Sequence, residues 1–355
     1  MPGPSVFQRL SEGCVIPAHP LALTSANKLD ERCQRALTRY YLAAGAGGVA
    51  MGVHTTQFAI HDAKVGLYKP VLELAAQTTA QTIKAGKLKP PILVAGLVGN
   101  TFQAIREAQL AVQLGYDLGL LSLTALRGKS IDELIDHAKQ VADIIPIMGF
   151  YLQSTISHMV LPKEFWSRLV EIPQVRAIKI APFNRYQTLD VLEAVAQSGR
   201  ANEIALYTGN DDNILVDLLT SYVFRTQGQE TRLRIAGGLL GQWACWTKRA
   251  AENLETIHRI HRAGGPVPPE MLTLAAQLTR ANKAIFDADN SFGGCIPGIS
   301  YILKQQGLMS HVGTLDPADR LSPGQTEQID AIVRQYPHLT DDEFVNANLD
   351  AWLAS

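Results

Sequence analysis

The sequence predicts an α/β chain: a (β/α)8, or TIM, barrel over residues 1–263, then a helical extension over 264–355. Three observations predict it. Eight short apolar runs recur between Cys14 and about Ala263. Amphipathic helical stretches alternate with them. No strand pattern returns after the Gly- and Pro-rich break GGPVPPE at 264–270. Eight strand–helix units in about 250 residues is the content of a closed parallel barrel. A doubly wound open sheet is the rival arrangement, and the count of eight favours the barrel.

The apolar runs are CVIPAHPLAL (14–23), GGVAMG (47–52), PILVAGL (91–97), LGLLSL (118–123), PIMGFYL (146–152), VRAIKIA (175–181), IALYTG (204–209) and RIAGGLL (234–240). Each is nearly continuous in hydrophobicity rather than alternating, as in strands covered on both faces. Between them, DERCQRALTRYYLAAG (30–45) sets Leu37, Tyr40 and Tyr41 at helical spacing and stops at Gly45. NTFQAIREAQLAVQLG (100–115) follows the same pattern, and Ser130 with Glu133 forms a capping box before LIDHAKQV. Past the break, PEMLTLAAQLTRANKAIFDA (269–288) and ISYILKQQG (299–307) read as helices. Ser322-Pro323 with Gln325 opens another, and Thr340 with Glu343 caps the last.

Composition narrows the partners. With 355 residues, 46% of them hydrophobic, the chain can bury a large core. Its 32 basic and 33 acidic residues leave a formal charge of −1. That balance gives no overall field toward nucleic acid or anionic lipid, so a small molecule is the expected partner. Cys14, Cys33, Cys245 and Cys295 show neither a C-x-x-C pair nor metal spacing, which reads as reduced thiols in a cytoplasmic protein. The start MPGPSVFQRLSEG lacks the apolar core and cleavage site of a signal peptide, and no apolar stretch reaches a membrane span.

In a parallel barrel the chemistry sits at the C-terminal ends of the strands and in the loops after them. Lys179, flanked by Ile178 and Ile180, stands near the end of the sixth run. Burial disfavours its ammonium, lowers its pKa and makes a nucleophilic amine; pairing with a carboxylate at the strand end is the ordinary alternative. Tyr151 ends the fifth run, where a phenol can move a proton or simply pack. After the second run, His54, Thr55 and Thr56 offer groups for a carboxylate or oxyanion. His54, His61 and an acidic group are an alternative metal set, but their spacing matches no standard metal motif.

The seventh run leads into YTGNDDN, with Asn210 and Asp211 at the mouth and one aspartate capping the next helix. After the eighth, Gly237 and Gly238 let backbone N–H groups approach a substrate or serve tight packing. No nicotinamide fingerprint follows any strand, and no cofactor or metal is expected.

With these residues placed, the chain resembles the dihydrodipicolinate synthase / N-acetylneuraminate lyase family. AGAGGVAMGVHTTQF is similar to that family's second-strand segment, VRAIKIA to its Schiff-base strand, LYTGNDDNILVDLL to the segment after its seventh strand, and IAGGLLGQW to its eighth. Tyr151 precedes Lys179 by 28 residues, which matches the family's tyrosine–lysine spacing. The resemblance implies a homo-oligomeric lyase, aldolase or dehydratase (dimer or tetramer). Its lysine would form an imine with a small 2-oxo acid or sugar-derived acid. Carried over, Lys179 is the imine former, Tyr151 the proton relay, and Thr55 or Thr56, with His54, the carboxylate site.

The sequence departs from the family in four places. Gln57-Phe58 replaces the family's glycine–glutamate. LTALRGK (123–129) lacks a tyrosine pair. Ser154–His158 lacks the carboxylate-gripping arginine, for which Arg185 is the substitute candidate. Aligning on proline shifts the relay by one residue to Phe150. A metal-dependent barrel lyase and a ligand-binding barrel without turnover are the competing readings.

Overall fold

Each of the eight apolar runs contains a strand in the computed structural model, which describes residues 5–86, 88–226 and 228–354. Chain order begins with helix α1 (Val6–Glu12), strand β1 (Val15–Pro17), α2 (Glu31–Ala44), β2 (Gly48–Met51), α3 (Tyr68–Gly86), β3 (Ile92–Leu97), α4 (Thr101–Gln113), β4 (Leu118–Leu121) and α5 (Ile131–Ala142). It continues through β5 (Ile147–Leu152), α6 (Ser154–Ser157), α7 (Lys163–Leu169), β6 (Val175–Ala181), α8 (Arg185–Gln197), β7 (Ala205–Thr208) and α9 (Ile214–Leu219). An antiparallel pair follows, β8 (Ser221–Thr226) and β9 (Gln229–Arg234), then β10 (Gly237–Leu240) and α10 (Thr247–Ala263). The tail holds α11 (Pro269–Ile285), α12 (Cys295–Gln305), α13 (Gln325–Gln335) and α14 (Asp342–Leu353).

Eight strands form one sheet in the order β1–β10–β7–β6–β5–β4–β3–β2, and a parallel bridge between Ala18 and Ala50 joins the first strand to the last in that order. With helices between successive strands, this is the (β/α)8 barrel followed by helices. The β8–β9 hairpin is an addition that the apolar pattern did not announce. Its described side chains are exposed or half-buried apart from Leu233, and it turns near Gly228, whose φ is +82°. Such a strand pair carries little of the hydrophobic signal by which strands are read.

The chain divides into two compact units, and the division does not fall at 263/264. One unit joins the residues up to Cys14 to Ile92–Leu239; the other joins Val15–Pro91 to the chain from Leu240 onward.

In the first unit the registers are regular: Leu120 lies beside Met148, Phe150 beside Lys179, and Lys179 beside Tyr207. Because side chains alternate along a strand, these share one face of the sheet. The opposite face carries Gly149, Tyr151 and Ile178, against which α7 lays Trp166 and Leu169. Trp166 is fully buried, with its ring 5.1 Å from both Phe165 and Tyr151.

In the second unit, Asp341 ties tail to barrel. Its carboxylate accepts from Tyr40 Oη of α2 at 2.7 Å, from the Lys248 amide of α10 at 3.0 Å and from Gln306 Nε2 at 2.9 Å. Tyr40 also stacks 5.4 Å from Trp352 of α14. The tail helices are therefore fastened by a buried polar knot as well as by apolar contact.

Among the described residues no helix is long and apolar enough to cross a membrane. Trp166→Ala is expected to lower unfolding free energy by about 3–5 kcal/mol, because the buried ring cannot be replaced by collapse of its neighbours. Urea denaturation checks this.

Candidate active site

Lys179 lies on β6 with Ala177 and Ala181 on its own face and Ile178 and Ile180 on the other. Only 7% of its surface is exposed. The amine sits 4.4 Å from the centre of the Phe150 ring, and the methylene chain passes over Gly209 at the end of β7. A Cβ at position 209 would stand 2.7 Å from Lys179 Cε and 2.7 Å from Ala181 Cβ, so only glycine leaves that passage open. Burial lowers the Lys179 pKa to about 8, and the Asp211 carboxylate opposes that shift. The amine therefore changes protonation state near pH 8, far closer to neutrality than an ordinary lysine, with the Asp211 carboxylate acting on it.

The turn carrying Asp211 is rigid for identifiable reasons. The Asp211 amide donates to the Gly209 carbonyl at 3.1 Å, and the residue is itself 7% exposed. Beneath it lies Asp217 of α9, buried to 1%, which accepts from Arg185 (2.9 Å), Thr208 Oγ1 (2.7 Å), Asn210 Nδ2 (2.9 Å) and Asn213 Nδ2 (2.8 Å). Asn210 also accepts from the Phe183 amide at 3.0 Å. Phe183, just after β6, has a φ of +53°, a left-handed conformation costing about 1–2 kcal/mol in a non-glycine residue. The two turns that frame Lys179 are thus bolted together by Asn210 and Asp217.

Several expected roles need correction. Tyr151 does not share the face of Lys179. It pairs with Ile180, its ring stacks on Trp166, and its hydroxyl is buried without a well-formed hydrogen bond. Burial pushes its pKa up to about 12, poorly matched to proton transfer. Phe150 holds the place beside the amine. Tyr207 does not substitute, because its hydroxyl donates to the Leu10 carbonyl at 3.0 Å and lies 3.4 Å from Cys14 Sγ.

Arg185 is committed to Asp217 and, at 3.4 Å, to Asp212, so its guanidinium is not an unoccupied carboxylate grip. Asn210 spends its side chain inside the knot. Gly237 and Gly238 lie at the entry of β10, not at its C-terminal end, and the Gly238 amide donates to the Cys14 carbonyl at 3.3 Å. A side chain at 237 would strike that carbonyl and the Tyr207 ring, so packing accounts for this glycine.

The loop after β2 belongs to the second unit. There Thr55 Oγ1 donates to the Ala18 carbonyl and Thr56 Oγ1 to the His19 carbonyl, both at 2.7 Å. Their hydroxyl protons stitch this loop to the end of β1. His54 is half-buried beside Phe58, with ring centres 5.8 Å apart, and His61 Nε2 meets the Gly52 carbonyl at 2.8 Å. Among the described residues no three His, Cys, Asp or Glu side chains are grouped to hold a metal ion, so the metal set is not assembled.

Asp217 is the supporting residue that sequence reading passed over. An aspartate inside ILVDLL, on a helix otherwise apolar at that stretch, was its available signal.

Two stability changes follow. Tyr151→Phe is expected to be neutral or to stabilise by about 1 kcal/mol, since it removes a buried hydroxyl without a good partner. Asp217→Ala is expected to cost about 3–5 kcal/mol by stranding Arg185 and two buried donors. Equilibrium unfolding of the two variants separates these signs.

Comparison with known proteins agrees with this architecture. Residues 13–221 match the model of the "Dihydrodipicolinate synthetase family". Over 145 residues, 40% of this chain, the sequence is 31% identical to a 4-hydroxy-tetrahydrodipicolinate synthase of Cyanothece sp., spanning 46% of that relative. It is 27% identical over 121 residues to a trans-o-hydroxybenzylidenepyruvate hydratase-aldolase of Sphingobium xenophagum, 34% of each chain. The chain thus spans about half or less of the length of these curated relatives. Among solved structures, a dihydrodipicolinate synthase from Acinetobacter baumannii complexed with pyruvate superposes with a TM-score of 0.72 at 17% identity, covering 92% of this chain and 99% of that one. That likeness establishes the fold. With more than half its length matched by the family model, this chain belongs to the dihydrodipicolinate synthetase family.

Proposed function

We propose that this chain is a lysine Schiff-base enzyme, a lyase, aldolase or dehydratase, acting on a small oxo acid through Lys179. The observation that carries this reading is the buried amine of Lys179, held between Phe150 and Gly209 with its pKa lowered to about 8. At pH 7 about one lysine in ten is then neutral, against roughly one in three thousand at the ordinary value of 10.5. Only the neutral amine attacks a carbonyl carbon, so the gain in nucleophile is several hundredfold.

Pyruvate, present in the Acinetobacter structure and named within the Sphingobium enzyme's substrate, is the natural first probe. The crevice beside Phe150, lined by Ser122, Thr124, Leu152, Ser157 and Met159, has a volume of only about 10 Å³, enough for one water molecule. The proposed chemistry asks nothing of a metal. A homo-oligomeric, cytoplasmic enzyme is the state that the family resemblance supports.

Two observations favour a second reading, a barrel that captures a carbonyl ligand without turning it over. Tyr151 is turned away from Lys179, and Arg185 is engaged elsewhere.

The test is borohydride reduction in the presence of pyruvate and a panel of 2-oxo acids, followed by mass mapping. The expected result is a reduced adduct on Lys179, absent from Lys179→Ala and Lys179→Arg. Since deprotonation creates the nucleophile, labelling should rise about tenfold per pH unit below 8 and level off above it. No adduct with any oxo acid would sink the reading. An adduct without product release would select the non-catalytic alternative.

A further inference from the structure

We infer that Phe150 is the specificity-determining wall of the Lys179 site: its ring limits the size of the group that a captured carbonyl can carry and confines the site to 2-oxo acids with the shortest side chains. The inference rests on the Schiff-base reading above and narrows its substrate class. The placement of the ring is direct. Phe150 stands opposite Lys179 in the β5–β6 register, and its ring centre lies 4.4 Å from the lysine nitrogen. Unbonded carbon atoms pack at about 3.5–4.0 Å, so no further layer of atoms fits between the nitrogen and the ring. Once the nitrogen bonds a carbonyl carbon, the two groups on that carbon stand two bonds away from it. Whichever of them turns toward β5 meets the ring.

The β7 side is built differently. Gly209 has no side chain to set against the lysine. Tyr207, in register with Lys179, is committed elsewhere: its ring edge lies where a side chain at Gly237 would stand, and its hydroxyl donates to the Leu10 carbonyl at 3.0 Å. Phe150 is thus the bulky neighbour that stays at the amine. Its ring also has nowhere to retreat. Phe150 is 5% exposed, and the crevice it shares with Ser122, Thr124, Ser157 and Met159 measures about 10 Å³, room for one water and not for a ring. The crevice walls are tied to one another. Ser122 Oγ and Thr124 Oγ1 lie 3.2 Å apart, and Ser157 Oγ accepts from the Met159 amide at 3.3 Å. A longer substituent therefore overpacks a filled corner, whereas a smaller residue at 150 joins the crevice to the space beside the amine.

Size selection is separable from every other effect of the ring. In the labelling reaction the neutral amine bonds the carbonyl carbon, and the carbonyl oxygen leaves as water with the two amine protons. Borohydride then delivers hydride to the imine carbon, and solvent supplies a proton to nitrogen. The same amine attacks each oxo acid. A change in its protonation, or a loosening of the fold, alters all the rates by one factor and cancels in the ratio of one acid to another. Only a wall against the substituent changes that ratio.

The experiment measures borohydride labelling rates of Lys179 with pyruvate, 2-oxobutyrate, 2-oxovalerate and 2-oxohexanoate, for the wild type, Phe150→Leu, Phe150→Ala and Tyr151→Phe. In the wild type the rate is expected to fall along the series, by about tenfold or more between pyruvate and 2-oxohexanoate. In Phe150→Ala the same two acids should label within about threefold of each other, with Phe150→Leu between. Tyr151→Phe, changed on the opposite face against Trp166, should keep the wild-type ratio. The inference is overturned by a wild type that labels the longest acid as fast as pyruvate, an arm that needs no variant to fold. It is equally overturned by a wild-type ratio in both Phe150 variants, or by a Tyr151→Phe that shifts the ratio as far as Phe150→Ala does. Each of these leaves the Schiff-base reading standing, whereas a wild type that no oxo acid labels removes both.

Discussion

A positive charge has no comfortable place in the middle of an apolar parallel strand, and the first unit of this protein is arranged around that constraint at Lys179. On its own face of the strand the lysine is flanked by Ala177 and Ala181. Phe150 offers it only the weak attraction of an aromatic face, and Gly209 lets its chain through. Ionisation is correspondingly disfavoured. The buried Asp211 carboxylate opposes that shift, leaving an amine that changes protonation state near pH 8.

The turn that carries this carboxylate is held by buried polar contacts. Asp217 supplies the support: a buried anion satisfied by Arg185, Thr208, Asn210 and Asn213 fixes the start of α9, and Asn210 reaches across to hold the backbone at Phe183. Arg185 thus helps to set the geometry of a turn. Removing any single partner would leave charges or donors buried without compensation, which is far more costly than forgoing the network altogether. The strain at Phe183 is tolerated because the same network determines both turns at once.

The second unit is held by different means. Threonine hydroxyls stitch the loop after β2 to the end of β1, and Asp341 binds α2, α10 and the tail through three donors. These are buried polar contacts that specify one arrangement among many apolar ones of similar energy. They also explain why the division into compact units ignores the Gly- and Pro-rich break: the tail shares its Asp341 anchor with α2 and α10.

Much of this was legible without coordinates. Hydrophobic runs gave all eight barrel strands because strands buried on both faces cannot hide their composition, and the β8–β9 pair escaped because it is largely exposed. The lysine at 179 stood out as a charge in an apolar strand. Which face of β5 meets that lysine was beyond the sequence. A strand repeats every two residues, so a one-residue shift exchanges Phe150 for Tyr151, and spacing along the chain does not fix the pairing between strands. The engagement of Arg185, Asn210 and the two threonines was equally hidden, because each depends on a partner distant in the chain or on a backbone carbonyl that every residue possesses. Composition and periodicity determined the barrel and its buried amine; only the tertiary structure decided which groups stand beside that amine, since neighbourhood across strands is set by register and packing.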